Sequence, residues 1–361
     1  MVPGIHADYL PTKDEDRIIV FPFQHGTMIA IFDGHLGSDT AEYASRRIPY
    51  LVSQAFDPDA EDLEARIVKI FQDFDQALIS RVTELFEDSD KDWLNPRWDD
   101  RMEVAKVIGY NYLDPQFRAG RRAVLGTTVL LAIIDKAKQY VWVVSLGDSC
   151  AVRGRMQKGK MVPLFMNDFH NGENPKEVER LLSEHPGEQG VLIHNGTLGM
   201  LSVTRALGDH LMKTDMDFAW RILCWFNPCP FPPFLWQQWK ENGNFTPPYL
   251  SSTPSVRKFD LRAGDRLVFA SDGLANSMAD ALDWPDANAC WDIIMPLLIG
   301  VDDERLGHRS FRPDASRPYN KAELLIRNVL FGDDSVKMSQ VMMNRKRDDI
   351  SVIVVDIDEL P

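Results

Sequence analysis

Aspartates stand where apolar runs meet turns at four widely separated places. These are Ile31-Phe32-Asp33-Gly34-His35, Ser145-Leu146-Gly147-Asp148-Ser149, Phe269-Ala270-Ser271-Asp272-Gly273 and Arg347-Asp348-Asp349-Ile350-Ser351. One such aspartate alone reads as a turn or cap residue, because Asp-Gly is a common turn signal. Together they read as carboxylates converging on a pair of hard divalent cations, since Mg²⁺ and Mn²⁺ prefer oxygen ligands. The chemistry that follows is metal-assisted hydrolysis. Asp33 is placed to bridge two cations, and Gly34 lets the backbone turn tightly enough to offer a carbonyl. Spacing alone leaves several kinds of metal hydrolase open.

Strand ends on a rigid sheet give such carboxylates positional precision. Arg17–Phe23 and residues 27–32 read as two strands around a Gln24-His25-Gly26 turn. Residues 38–56 turn helical, with Ala41, Ala44, Ile48 and Leu51 on one face, Ser38 or Asp39 as cap, and Pro49 as a kink or division. A second helix follows Pro58, its stripe running Leu63, Ile67, Ile70, Phe71, Phe74, Leu78, Val82 and Leu85; core packing against a sheet explains it. Residues 87–122 read as a loop with one short helix. Residues 124–134 and Tyr140–Leu146 form a hairpin signal. Further strands are expected at 150–153, 164–166, 191–194, 256–261, 266–270 and 350–357, and helices at 175–184, 287–298 and 321–330. Residues 211–254 differ, with Trp220, Trp225, Trp236, Trp239 and seven prolines. So apolar a segment is an irregular insertion pinned by aromatics, not a linker. Strands at both ends with helices between suggest α+β with mainly antiparallel sheets.

The 361 residues carry a formal net charge of −14, which argues against nucleic acid or an anionic membrane as partner of the general surface. No apolar run approaches a membrane span. Cys150, Cys224, Cys229 and Cys290 are few for this length and form no zinc-ligand pattern, which favours thiols in a reducing compartment. An intracellular, cytoplasmic location is expected, or a mitochondrial one if a presequence was removed.

In order along the chain, Phe32-Asp33-Gly34-His35-Leu36-Gly37, Gly126-Thr127-Thr128, Gly147-Asp148-Ser149, Ser202-Val203-Thr204-Arg205-Ala206-Leu207-Gly208-Asp209, Ala270-Ser271-Asp272-Gly273-Leu274 and Asp348-Asp349-Ile350-Ser351-Val352 resemble the motifs of the metal-dependent protein Ser/Thr phosphatases, the protein phosphatase 2C family. The resemblance runs from about residue 5 to 358 and implies one domain over 5–358. Glu15-Asp16-Arg17, the stretch from Glu179 to Pro186 and Thr246-Pro247-Pro248-Tyr249-Leu250 look most like the pyruvate dehydrogenase phosphatase branch. The implied fold is a four-layer α-β-β-α sandwich, two antiparallel β-sheets flanked by helices, with residues 211–254 as a flap-like insertion.

The resemblance also implies a site. Asp33 bridges two Mg²⁺ or Mn²⁺ ions, Gly34 lends its carbonyl, Asp272 and Asp348 hold one ion, and Glu15 acts through metal-bound water. Asp148 belongs to a third, weaker site. A water or hydroxide between the two main ions attacks phosphorus in line, and His35 is the general acid for the serine or threonine leaving group. Asn276 stands where most relatives carry an acid of the third site, so that site is expected to be weak or absent and turnover low. The early arginine that grips substrate phosphate has no counterpart before Glu15; Arg17, Arg121 or Arg122 are the candidates to replace it, with none singled out. The expected function is hydrolysis of phosphoserine or phosphothreonine on proteins. The competing reading is a catalytically weak or inactive phosphatase fold serving as a scaffold or regulator.

Overall fold

A computed structural model describes residues 2–86, 100–226, 233–244, 246–301, 303–306, 311 and 319–361. The first stretch forms strands β1 (Ile5–Leu10), β2 (Arg17–Phe23), β3 (Gly26–Phe32) and β4 (Gly34–His35), then helices α1 (Asp39–Ala55) and α2 (Leu63–Thr83). After α3 (Arg101–Ile108) and α4 (Pro115–Val124) come β5 (Gly126–Thr127), β6 (Val129–Asp135), β7 (Tyr140–Leu146), β8 (Cys150–Gln157), β9 (Lys160–Phe165) and α5 (Pro175–Glu184). The middle of the chain holds β10 (Leu192–Ile193), β11 (Gly196–Thr197), β12 (Leu207–Gly208), α6 (Met216–Arg221) and α7 (Pro233–Asn242). Last come β13 (Ser255–Asp260), β14 (Arg266–Ala270), α8 (Asp272–Leu282), α9 (Trp291–Leu297), α10 (Lys321–Leu330), α11 (Ser335–Met343) and β15 (Ile350–Asp356).

Two five-stranded sheets dominate, ordered β13-β7-β6-β3-β2 and β1-β15-β14-β8-β9, and every ladder in them is antiparallel. Successive side chains of a strand point to opposite faces, and here both faces are covered. On β3, Ile29 and Ile31 point inward to meet Leu267, Phe269, Ile353 and Val355 of the other sheet. Met28, Ala30 and Phe32 point outward to meet Ala44 and Ile48 of α1 and Ile67, Phe71 and Phe74 of α2. The other outer face sets Val268, Val352 and Val354 against Leu274 and Met278 of α8, Ile293 and Ile294 of α9, and Leu325 and Val329 of α10. The expected four-layer α+β sandwich is the observed one, built because the central strands β3, β6, β7, β14 and β15 are buried on both of their faces.

The local readings differ in places. Pro49 does not divide α1; it lies inside one helix of 17 residues. On that helix Val52 is buried and Leu51 is exposed, since Val52 follows Ile48 by four residues and stays on its face. The expected single short helix before residue 122 is two, α3 and α4, with residues 87–99 outside the described part. Strand β1 and helices α6, α7, α8 and α11 carry sequence patterns too short or too mixed to read alone.

The described residues of 211–254 are built into the main core, not draped over it. Leu211, Met212, Ile222, Leu223, Phe226, Trp239, Tyr249 and Leu250 are all buried in the cluster that backs α1 and α2. Trp239 donates its indole N–H to the Leu198 carbonyl at 3.1 Å. Trp220 is 38% exposed, and the side chain of Trp236 and residue Cys229 lie outside the described part. Cys150, Cys224 and Cys290 are buried free thiols. Among the described residues no helix is long and apolar enough to cross a membrane.

Candidate metal centre and active site

Strand direction brings the acidic residues together. Phe32 at the end of β3 pairs with Arg17 at the start of β2, and Val129 at the start of β6 pairs with Leu146 at the end of β7. In the other sheet Ala270, at the end of β14, pairs with both Cys150 and Val352. The end of β3, the start of β2, the β7–β8 crossing, the end of β14 and the start of β15 therefore share one rim. Asp33, Glu15 with Asp16, Asp148, Asp272, and Asp348 with Asp349 sit there in that order.

Burial and mutual repulsion mark the cluster. Burial first, and then the charges of Asp16, Asp272, Asp148 and Asp348, push the Asp33 carboxyl well above its ordinary value. Asp272 is raised in the same way, by burial and by Asp148, Asp348 and Asp16, while a hydrogen bond with Asp33 pulls the other way. Asp16 rises to about 7 and Asp148 to about 6, each chiefly through burial. Glu15 is also raised, burial again leading. Such a set cannot hold its full negative charge without cations.

The donor set suits hard divalent ions: it is all oxygen, and mostly carboxylate. Gly34 adds a close backbone approach, because a Cβ there would lie 2.4 Å from the Glu15 carbonyl oxygen. The rim carboxylates are spaced more widely than the tightest acidic cluster of the molecule. Among the described residues, only His6, Asp356 and Glu359 hold three ligand atoms within 4.8 Å of one another. That trio is not a metal site of the same kind, since the Lys321 ammonium bonds both Asp356 and Glu359 and fills the place of a cation.

Asp349, to which the sequence assigned no role, is the brace of the rim. Its Oδ1 accepts the backbone N–H of Lys13 at 2.8 Å and its Oδ2 that of Glu15 at 2.7 Å. Tyr9 donates its hydroxyl to the same Oδ2 at 3.0 Å. Burial raises this carboxyl, but the N–H groups of Thr12, Lys13 and Glu15 outweigh it and hold the pKa below its ordinary value. Asp16, also missed, takes the Ser351 hydroxyl at 2.8 Å and ties β2 to β15. The adjacent pairs Glu15-Asp16 and Asp348-Asp349 were the available signal: Asp349 anchors the backbone of residues 12–16, and Asp16 bonds Ser351 while its charge acts on Asp33.

Each of the arginine candidates has a partner. Arg17 bonds Glu42 and the backbone carbonyls of Asp14 and Asp16. Arg121 bonds Asp39, and Arg122 lies over the Tyr43 ring. A cation that does reach the rim is Lys13, whose Nζ is 3.0 Å from Asp348 Oδ1. Asn276 Nδ2 donates to Asp272 Oδ2 at 3.0 Å, one helical turn along α8. His35 Nε2 is 2.8 Å from Asp209 Oδ2. Burial lowers the imidazole pKa, yet the Asp209 carboxylate overrides it and the net shift is upward. A cleft of about 440 Å³ opens beside Asp148, Asp272 and Asn276, with Glu173, His194 and Trp291 on its walls.

Residues 97–282, just over half of the chain, match the sequence model of the protein phosphatase 2C family. The chain belongs to that family. It is 25% identical over 289 residues to the probable protein phosphatase 2C 29 of Oryza sativa subsp. japonica, a match covering 74% of this chain and 60% of that relative. Over 364 residues it is 25% identical to the mitochondrial pyruvate dehydrogenase (acetyl-transferring) phosphatase 1 of Saccharomyces cerevisiae, covering 90% of this chain and 60% of the relative. The Bos taurus phosphatase of the same name is 33% identical over 162 residues, 44% of this chain and 30% of its own length. The chain thus spans at most about three fifths of these curated relatives. In fold it is similar to a serine-threonine phosphatase 2C from Toxoplasma gondii, with a TM-score of 0.52 at 16% identity, covering 97% of this chain and 93% of that one. The relatives of this phosphatase 2C family member thus include pyruvate dehydrogenase phosphatases, the branch its sequence resembles.

Proposed function

We propose that this chain is a Mg²⁺- or Mn²⁺-dependent phosphatase acting on phosphoserine or phosphothreonine in a protein. The observation that carries the reading is the shared rim of Asp33, Asp272, Asp148, Asp16 and Asp348, where burial and mutual repulsion raise the first four carboxyls. Asp33, the Gly34 carbonyl, Asp272 and Asp348 would hold two cations, with Glu15 acting through water and Asp148 serving a weaker third. When bound, the cations supply Lewis acidity toward the phosphoryl oxygens and lower the pKa of water. Asp272 is the first residue of α8, where the helix N-terminus favours its negative charge. His35 holds a proton at Nδ1 for the departing serine or threonine oxygen; as the P–O bond breaks, that oxygen keeps the electron pair and takes the proton. Lys13, at Asp348, supplies positive charge for the incoming phosphate. The relatives named as pyruvate dehydrogenase phosphatases support a phosphoprotein substrate, and the single 5–358 domain with its 211–254 insertion as the unit that binds it.

Purified protein with Mn²⁺ is expected to hydrolyse a phosphothreonine peptide, and EDTA or Asp272→Asn to abolish this. Turnover that survives both overturns the reading. A phosphatase fold without turnover is the second reading, favoured by the amide of Asn276 bonded to Asp272 in place of a further carboxylate. It predicts phosphopeptide binding with no hydrolysis at any metal concentration.

A further inference from the structure

The Arg205-Ala206-Leu207-Gly208-Asp209 stretch carries the resemblance most specifically, yet the site described above uses it only through the contact of Asp209 with His35. Its last residue sits next to the reacting end of the molecule. Asp209 is 1% exposed. Its Oδ2 bonds His35 Nε2 at 2.8 Å, and its Oδ1 is buried with no hydrogen-bond partner among the described residues. A carboxylate taken so far out of water is costly unless its partner needs it. Its hydrogen-bonded partner among the described residues is the histidine.

The pair is assembled by a three-stranded ribbon, β12-β5-β4. Gly126 in the middle strand pairs with His35 on one side and with Gly208 on the other. His35 and Asp209 meet across that glycine. A Cβ at Gly126 would fall 2.0 Å from His35 Nε2 and 2.1 Å from Asp209 Oδ2, so only a residue without a side chain lets the two join. Asp209 takes a left-handed backbone conformation, φ 53°, which Asp tolerates better than most residues. Its backbone is clamped on both sides. Its own N–H donates to the Leu125 carbonyl at 3.1 Å, and the N–H of Gly208 donates to Asp75 Oδ1 at 2.7 Å. Three distant segments, 32–37, 126–128 and 202–209, thus join to hold one imidazole.

Resting on the phosphatase reading, we propose that Asp209 is a positioning residue: across Gly126 it accepts the Nε2–H of His35 and so turns Nδ1 toward the leaving oxygen. The Nε2–H bond and the ring plane of His35 are then set before substrate arrives, leaving the Nδ1–H of the imidazolium for the leaving group. Nδ1 has no partner among the described residues, as a nitrogen kept for the leaving group requires.

The test compares two substrates of the Mn²⁺-loaded protein. p-Nitrophenolate leaves without a proton, whereas the threonine alkoxide of a phosphothreonine peptide needs one. Asp209→Asn is expected to lower kcat on the peptide by roughly 10²-fold with KM within about twofold, and to lower kcat on p-nitrophenyl phosphate at least about tenfold less. His35→Gln should show the same selectivity, and the double variant should be no worse than His35→Gln. Equal losses on both substrates, or additive losses in the double variant, overturn the proposal. Should Asp209→Asn fail to fold, ¹⁵N NMR of the wild-type ring decides. Protonation at Nε2 supports it, and a neutral ring with Nε2 bare overturns it. A wild type that hydrolyses neither substrate with Mn²⁺ overturns the phosphatase reading itself, while the NMR result still reports whether the pair exists.

Discussion

Asn276 Nδ2 lies 3.0 Å from Asp272 Oδ2, one turn along α8, and donates a hydrogen bond to it. An amide is a weaker ligand for a hard cation than a carboxylate, and here its N–H faces an oxygen assigned to metal binding. Asn276→Asp adds an anion on the same helical face beside Asp148. The expected result is a new, weak Mn²⁺ binding step, seen by titration calorimetry, with about tenfold tighter binding than the wild type at that step. Turnover on a phosphopeptide should rise with it. No change in either quantity would show that position 276 lies outside any cation's reach.

Repulsion at the rim has a stability cost that neutral variants should relieve. Asp33→Asn and Asp272→Asn each remove one charge from the crowded set. Each is expected to stabilise the metal-free protein by on the order of 1–2 kcal/mol, read as a higher Tm in EDTA. The same variants should lose the Tm gain that Mn²⁺ gives the wild type. A fall in the EDTA Tm would mean the carboxylates are held by bonds stronger than their repulsion.

The rim also sets a pH dependence. Asp16 and Asp148, raised to about 7 and about 6 chiefly by burial, keep protons in the folded chain that the unfolded chain releases near 3.8. The folded state then binds more protons between these values, so their contribution is complete below about pH 4 and is lost as pH rises to about 7. His170, lowered to about 3 chiefly by burial, works in the opposite sense and is indifferent to metal. The difference between Tm with Mn²⁺ and Tm with EDTA isolates the rim, because cations replace those protons. That difference is expected to widen steadily from pH 5 to 7.5; a flat difference would contradict the coupled carboxylates.

Behind the rim, Asp75 on α2 supports the segment that carries Asp209. Its Oδ2 takes the buried Lys213 ammonium at 2.8 Å, and its Oδ1 takes the Gly208 N–H. Burial raises the Asp75 carboxyl, but Lys213 and His210 overcome it and hold the pKa far below normal. Asp75→Ala strands Lys213 without its charge partner and is expected to cost about 3–5 kcal/mol in urea unfolding. The double variant Asp75→Ala, Lys213→Met should recover part of that loss. A loss no larger than that of a surface change would remove the pair from the supports of the site.

Within residues 211–254, Trp239 is fully buried. Trp239→Ala is expected to cost about 3–5 kcal/mol in stability, so deleting the whole segment would unfold the domain before it tested substrate choice. Exposed Trp220→Ala should leave Tm nearly unchanged. If its substrate preference on phosphopeptides also stays unchanged, the insertion's role at that point is packing alone.

The sequence by itself determined the elements whose patterns are long and one-sided. β3 and β15 are mostly apolar, α2 repeats its buried residues at helical spacing, and α5 and α10 begin and end where expected. It also determined which residues could bind hard cations, because carboxylates beside glycine at strand ends are a local, chemical signal. Only the tertiary structure decided which of them cooperate. Whether Asp348 or Asp349 faces the rim depends on five backbone N–H groups from residues 12–16, more than three hundred positions away. Whether Arg17 is free for phosphate depends on Glu42 in the next helix. That Asp209 reaches His35 depends on two ladders meeting at Gly126. These are contacts of high sequence separation, set by strand register and by competition between polar groups for partners, and no local pattern encodes them.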